Sequence, residues 1–236
     1  MELLGYTISS KLPLINYDKQ LIVNTINPHS YCVAKSDATF REALLGSDFL
    51  LPDGIGIVLA ARILKKKRIL KIAGYDLFVS LMKQLNESSG TAFFLGAAPN
   101  TLSLIKNRAS KEYPNVKIEC YSPPYKSFFN HIDNSEMFSE VNKVSPDVLF
   151  VGMTAPKQEK WVFENRDNLN ARVICSIGAV FDFYAGTVKR PSKFWIGLGL
   201  EWLPRFLKEP RRLAKRNLIS TPKFLFELVK AKFLKI

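Results

Sequence analysis

Histidine and cysteine are scarce in this sequence: two and three respectively among 236 residues. His29 and His131 stand alone and no CxxC occurs, so a His/Cys metal centre with ligand spacing is excluded. Cys32, Cys120 and Cys175 are far apart, odd in number and set among apolar neighbours. They read as buried thiols of a reducing compartment rather than as a disulfide framework. Long apolar runs are missing too, and none approaches the ~18 residues a spanning helix needs. The N-terminus, MELLGYTISSKL, lacks the basic stretch and apolar core of a secretory signal. The expectation is a cytoplasmic chain, or one that binds a membrane from that side. No DxD pair is present to hold a divalent cation against a nucleotide diphosphate, and there is no Walker A loop. Gly54-Ile55-Gly56 begins a dinucleotide fingerprint, but Leu59 stands where its third glycine belongs. Internal repeats and low-complexity segments are absent as well.

What is present is a large apolar fraction, 47%, with 23% charged residues, enough for a sizeable core and too apolar for wholesale disorder. The net charge of +13 is unevenly placed. Residues 189–236 carry 13 Lys/Arg against 3 Asp/Glu, whereas residues 1–188 are nearly balanced. This asymmetry divides the chain into a globular body, 1–188, and a basic appendage, 189–236. It points to a polyanionic partner: a membrane surface, a nucleic acid or a diphosphate. The appendage is rich in Trp, Pro and Arg and ends in PKFLFELVKAKFLKI. There Phe226, Val229, Phe233 and Ile236 fall on one helical face, with Lys223, Glu227 and Lys230 elsewhere around it. Two readings follow: a basic amphipathic helix at an anionic membrane interface, or a terminal helix docked on the core.

In the body, short runs of apolar, β-branched and aromatic residues predict strands at Gln20–Val23, Phe49–Leu51, Ala92–Leu95, Val116–Cys120, Val148–Val151 and Val173–Ser176. Helical patterns follow at Ile55–Ile63, Thr101–Glu112, Ser135–Val144 and Lys157–Asn168. Fully apolar strands alternating with amphipathic helices imply an α/β fold, a parallel sheet covered by helices on both faces.

In such sheets ligands bind beyond the carboxyl ends of the strands. Four polar clusters fall there: Thr25 and Asn27, Asp53-Gly54, Gly96-Ala97-Ala98, and Thr154 through Glu159 with Lys157 and Gln158. Asp53 suits a general base for a hydroxyl nucleophile, and equally an Asp-Gly turn. Thr25 and Asn27 either bind a polar ligand or cap the next helix. Lys157 and Gln158 open a helix whose amides suit a diphosphate; the alternative is a solvated surface lysine. Arg205, Arg211 and Arg212 stand among Trp195, Trp202, Pro204 and Pro210, where arginine forks match phosphate oxygens unless they simply face solvent.

Taken in order, these clusters resemble the WecG/TagA/CpsF family of bacterial glycosyltransferases. The resembling segments are NTINPHS (24–30), LLPDGIGIV (50–58), AGYDLF (73–78), AFFLGAAP (92–99), PDVLFVGMTAPKQEKW (146–161), FDFYAGTVKRPSKF (181–194) and GLEWLPRFLKEPRRLAKR (199–216). They run across nearly the whole chain. The chain departs from the family pattern at Thr154 and Ala179, where glycine is common, at Arg190-Pro191 and at Pro204. The resemblance implies a Rossmann-like fold and an inverting transferase that needs no metal or other cofactor. Its donor is a UDP-sugar: N-acetylmannosamine, its uronate or a related hexose. Its acceptor is an undecaprenyl-diphosphate-linked saccharide used for teichoic acid, capsule or exopolysaccharide. It makes Asp53 the base, with Thr25 and Asn27 lining the sugar pocket beside Gly54 and Gly96. Gln158 is a polar pocket residue, Lys157 its neighbour, and Arg205, Arg211 and Arg212 complete the site from the appendage. The enzyme would sit peripherally on the inner face of the plasma membrane, and self-association into a homo-oligomer stays open. Two rivals remain at this stage: an NAD(P)-dependent oxidoreductase, which lacks a phosphate loop, and a basic nucleic-acid-binding protein, which lacks a groove-reading element.

Overall fold

The computed structural model describes residues 1–15, 19–197 and 200–234; the side chains of Lys193, Arg205, Lys208 and Arg212 lie outside that description. A short hairpin, β1 (Glu2–Leu3) and β2 (Tyr6–Thr7), precedes a six-stranded sheet. The sheet strands are β3 (Leu21–Ile26), β4 (Phe49–Pro52), β5 (Thr91–Gly96), β6 (Lys117–Tyr121), β7 (Val148–Gly152) and β8 (Val173–Ser176). They lie in the order β4-β3-β8-β7-β5-β6 and pair in parallel throughout. All six carboxyl ends therefore share one edge.

Strand side chains alternate between the two faces, and both faces are apolar, as a doubly covered parallel sheet requires. Val23, Phe94, Phe150 and Cys175 point to one side, against α4 (Gly74–Ser88), α5 (Pro99–Glu112) and α8 (Ala179–Ala185). Phe78 of α4 packs there with ring centroids 4.6 Å from Tyr184 and 5.3 Å from Phe150. Ile22, Phe93, Leu149 and Ile174 point to the other side, against α6 (His131–Val144) and α7 (Lys157–Asn165). A third cluster joins α1 (Pro28–Ala34), α2 (Ala38–Leu45) and α3 (Ile55–Lys65) to Ile26 and Leu50. Helix starts follow capping chemistry: Asp37 Oδ1 accepts from Phe40 N at 2.9 Å, and Asn130 Oδ1 from Asp133 N at 2.8 Å. The cysteines are unpaired; Cys175 is buried, while Cys32 and Cys120 are only half-buried.

The C-terminal part is helical: α9 (Lys193–Gly197), α10 (Trp202–Lys208), α11 (Pro210–Ala214), a π-helical turn at Lys215–Ser220, and α12 (Thr221–Phe233). Pro222 lacks an N–H and its ring crowds the carbonyl four residues before it, a cause for the preceding turn to widen. Helix α12 divides its apolar residues between two sides. Phe224 and Leu228 are buried in the α1/α3 cluster, with Phe224 edge-on to Tyr31 at 5.4 Å. Phe226, Val229 and Phe233 are 68%, 51% and 80% exposed. The helix thus docks on the core through a pair different from the stripe seen in the sequence, and that stripe faces outward. Ile236, the fourth member of the stripe, lies outside the described residues.

Candidate active site

Strand β3 runs three residues further than its apolar run suggests, so Thr25 sits within it, level with Leu51 of β4, rather than beyond it. The extension carries a buried polar residue, Asn24, whose amide donates to Ser47 Oγ at 3.0 Å. The ladder continues past β4 as Asp53 N donates to Ile26 O at 2.9 Å, which places Asp53 beside Asn27. Asn27 caps α1, its Oδ1 accepting from His29 N and Ser30 N at 3.0 Å each, and its side chain also hydrogen-bonds Asp53. Asn27 thus caps α1 and also stands against Asp53.

Gly54 follows at φ +95°, a conformation that side chains rarely adopt, with Asn27 Cβ 4.0 Å from its would-be Cβ. A Cβ on Gly56 would stand 2.4 Å from Pro28 Cγ. These two glycines therefore seat α3 closely against the start of α1, which accounts for the Gly-x-Gly pattern without a dinucleotide.

Asp53 is half-buried, and burial raises its pKa above the ordinary carboxylate value. Glu201 adds to the rise, while Arg216, Lys71 and the bond from Asn27 oppose it. Lys71 Nζ lies 2.7 Å from Glu201 Oε2. Arg190 lies 3.8 Å from Glu201 and 3.7 Å from Asp76, its guanidinium 4.2 Å from the centre of the Tyr75 ring. Arg216 comes from the π-helical turn. Four residues on, in the same wide turn, Ser220 Oγ meets His29 Nδ1 at 2.8 Å, and Ser220 O accepts from Cys32 Sγ at 3.3 Å. Burial first, then Arg216 and Lys215, holds the His29 pKa below its usual value.

Elsewhere on the edge the site is built differently. Gly96 has φ +114°, and a Cβ there would come 2.6 Å from Gly152 O, so β5 and β7 meet backbone to backbone where they end. Gln158 is buried; its Oε1 accepts from Gly178 N, just past β8, at 3.1 Å and its Nε2 donates to Glu159 Oε1 at 2.9 Å. Glu159 is buried with Oε2 unpartnered, and burial pushes its pKa up to about 7. Lys157 donates to Lys126 O, and its Nζ stands 3.6 Å from the centre of the Phe129 ring, with burial lowering its pKa.

Thr25, Asn27, Asp53 and Gly54 are thus brought together. Gln158 reaches the same region through Gly178, which follows β8, the strand neighbouring β3. Gly96 lies farther along the edge, and Lys157 turns to the 126–129 loop, with its charge on a carbonyl and a ring. Arg211 is exposed on α11, and the side chains of Arg205 and Arg212 lie outside the described residues. Lys71, Arg190, Glu201, Arg216 and His29 are the members that sequence reasoning missed. Lys71 is hidden in the run KKKRILK, which reads as solvated charge. Glu201 carried a usable signal, as one of only 3 acidic residues in a strongly basic segment.

No described helix is long and apolar enough to cross a membrane. Residues 7–235 match the family described as "Glycosyl transferase WecG/TagA/CpsF family". A protein of Bacillus spizizenii named N-acetylglucosaminyldiphosphoundecaprenol N-acetyl-beta-D-mannosaminyltransferase is 31% identical, covering 97% of this chain and 86% of that one. Its namesake in Bacillus subtilis is 32% identical over 89% of this chain and 79% of its own. A Staphylococcus aureus protein of the same name is 26% identical over 90% and 81%. With its parallel sheet, its strand-end site and a match over nearly its full length, this chain belongs to the WecG/TagA/CpsF family and is a glycosyltransferase.

Proposed function

We propose that the enzyme moves N-acetylmannosamine, or a closely related hexose, from a UDP donor to an undecaprenyl-diphosphate-linked saccharide, with inversion and without a metal. The observation that carries this reading is Asp53. It is a half-buried carboxylate at the strand edge, tied to Asn27 and facing Arg216 and Lys71. Burial makes it a stronger base than a free aspartate, while the two cations keep an ionised fraction available. The acceptor hydroxyl gives its proton to Asp53 as its oxygen bonds the anomeric carbon. UDP departs with the electron pair of the broken carbon–oxygen bond. Thr25 and Asn27 line the sugar, Gly54 and Gly96 admit the donor where side chains would obstruct it, and Gln158 shapes the pocket by holding the Gly178 turn. Lys157 acts through the 126–129 loop. Cationic groups of the appendage, Arg205, Arg211 and Arg212 by the family pattern, offset charge developing on the leaving diphosphate, the role a metal takes in other transferases.

The relatives' acceptor, by their names, is a lipid diphosphate, and this supports placing the enzyme peripherally on the inner membrane surface. The outward row Phe226, Val229, Phe233 and Leu234, flanked by Lys223, Lys230 and Lys232, suits an anionic interface. Asp53→Asn tests the centre of the proposal. Transfer from UDP-N-acetylmannosamine to a lipid-diphosphate N-acetylglucosamine acceptor should fall by roughly 10²–10⁴-fold, with donor binding retained. Near-normal turnover would overturn the base assignment, and a strict need for magnesium or manganese would overturn the metal-free mechanism.

A further inference from the structure

We propose that Lys71 and Glu201 form an electrostatic clasp that positions Asp53: the pair ties the C-terminal helices to the strand end bearing the base and holds one charge of each sign within electrostatic reach of it. The proposal rests on the reading of Asp53 as the base.

The geometry begins at β4. Ile72 N donates to Pro52 O at 2.9 Å, so Lys71 is anchored to the strand end that carries Asp53. Glu201 immediately precedes α10, and its carboxylate is 2.7 Å from Lys71 Nζ across 130 residues of chain. Both side chains are mostly buried, 18% and 19% exposed. Exposed ion pairs contribute little, and removing a pair from water costs much of its Coulomb energy, so extra stability is a poor account of this one. What the pair supplies is registration between two distant segments.

Arg190 extends the clasp. It stacks on Tyr75 and spans Glu201 and Asp76, and Asp76 Oδ2 accepts from Ala73 N at 2.9 Å to start α4. Arg190 Nε is buried without a hydrogen bond, and its contacts at 3.7 and 3.8 Å are longer than the Lys71–Glu201 contact at 2.7 Å.

The groups acting on Asp53 come from four places: Arg216 of the π-helical turn, Lys71 of the loop after α3, Glu201 at the start of α10 and the amide of Asn27. Lys71 favours the ionised carboxylate and Glu201 disfavours it, so the two partners of one ion pair act on the base in opposite directions.

That opposition separates a positioning role from plain bracing. Lys71→Met and Glu201→Gln keep side-chain bulk and each removes one charge. The full chain is assayed with UDP-N-acetylmannosamine and a lipid-diphosphate N-acetylglucosamine acceptor across pH, and amide hydrogen exchange is followed over residues 202–233. In Lys71→Met the acid limb of kcat/KM should move to higher pH and the neutral-pH rate should drop roughly tenfold, mostly in kcat. In Glu201→Gln the limb should move to lower pH. Both variants should exchange faster over α10–α12, and the reversed pair Lys71→Glu/Glu201→Lys should regain protection that either reversal alone loses. Limbs that move the same way, or not at all, would overturn the positioning claim. Unchanged exchange in both single reversals would overturn the clasp. Asp53→Asn keeps the two readings apart: an acid limb that persists in that variant refutes the base assignment, and the exchange data then judge the clasp alone.

Discussion

Replacing Glu159 by glutamine should stabilise the protein above neutral pH and leave it nearly unchanged in mild acid. Glu159 is buried beside Gln158, accepts one hydrogen bond from it, and has a second oxygen with no partner. Burial raises its pKa from 4.5 to about 7. Between those two values the folded protein holds a proton that the unfolded chain has released, so stability falls as pH rises through the window. It is fully present below about pH 4.5 and lost above about pH 7. The gap corresponds to about 3 kcal/mol. Glutamine has the shape of the protonated acid, still accepts from Gln158 and carries no charge to desolvate. Urea unfolding followed by tryptophan fluorescence at pH 5 and pH 8 measures the effect. Wild type should lose stability between the two, and Glu159→Gln should flatten that loss. A variant that keeps the full pH dependence, or is no more stable than wild type at pH 8, would refute the assignment of a neutral buried acid.

Phe226→Glu/Phe233→Glu should lower partition onto phosphatidylglycerol vesicles by roughly 10²- to 10⁴-fold, since each of the two exposed rings would otherwise contribute about 1.5–3 kcal/mol on insertion; co-sedimentation at fixed salt reads it, and unchanged binding would remove α12 from the interface. Phe224→Ala, on the opposite side of that helix, should destabilise by about 3–5 kcal/mol, seen as a lower urea midpoint. Gly96→Ala should cost about 2 kcal/mol or more, because φ is +114° and the new Cβ would meet Gly152 O at 2.6 Å. A midpoint equal to wild type would show that the β5–β7 junction relaxes. Asp53→Asn should lower transfer by roughly 10²–10⁴-fold with the urea midpoint retained.

The sheet was legible because its strands are continuous apolar runs: Val148–Val151 and Ala92–Leu95 each match an observed strand to within one residue at either end. β3 was cut short at Val23 because Asn24 and Thr25 look like loop; Asn24 lies in the strand only because Ser47 and Ala43 O receive its amide. Helix α4 was hidden because its N-cap, Ala73, carries no capping side chain; instead Asp76, two residues inside the helix, accepts from Ala73 N. Asp53 and Asn27 could be picked out, as strand ends announce themselves by polarity. The charged groups around Asp53 could not: Glu201 and Arg216 reach it only once separations of 148 and 163 residues are closed, and Lys71, nearer in the chain, is masked by its run of neighbouring cations. The C-terminal stripe showed one apolar side of α12; the side that docks, Phe224 and Leu228, was not read from the sequence.

The burial of Phe224 and Leu228 against α1 and α3 also bears on when the enzyme becomes competent. Strand β3, Asn27 and Asp53 leave the ribosome early, but Arg216 emerges 163 positions after Asp53, and Phe224, which covers Tyr31, emerges 193 positions after that tyrosine. At ~5–20 residues per second the nascent body spends roughly 10–40 seconds with that surface uncovered. Nascent chains should therefore be catalytically silent until α12 arrives, and in that interval the α1–α3 surface is a natural landing place for a chaperone.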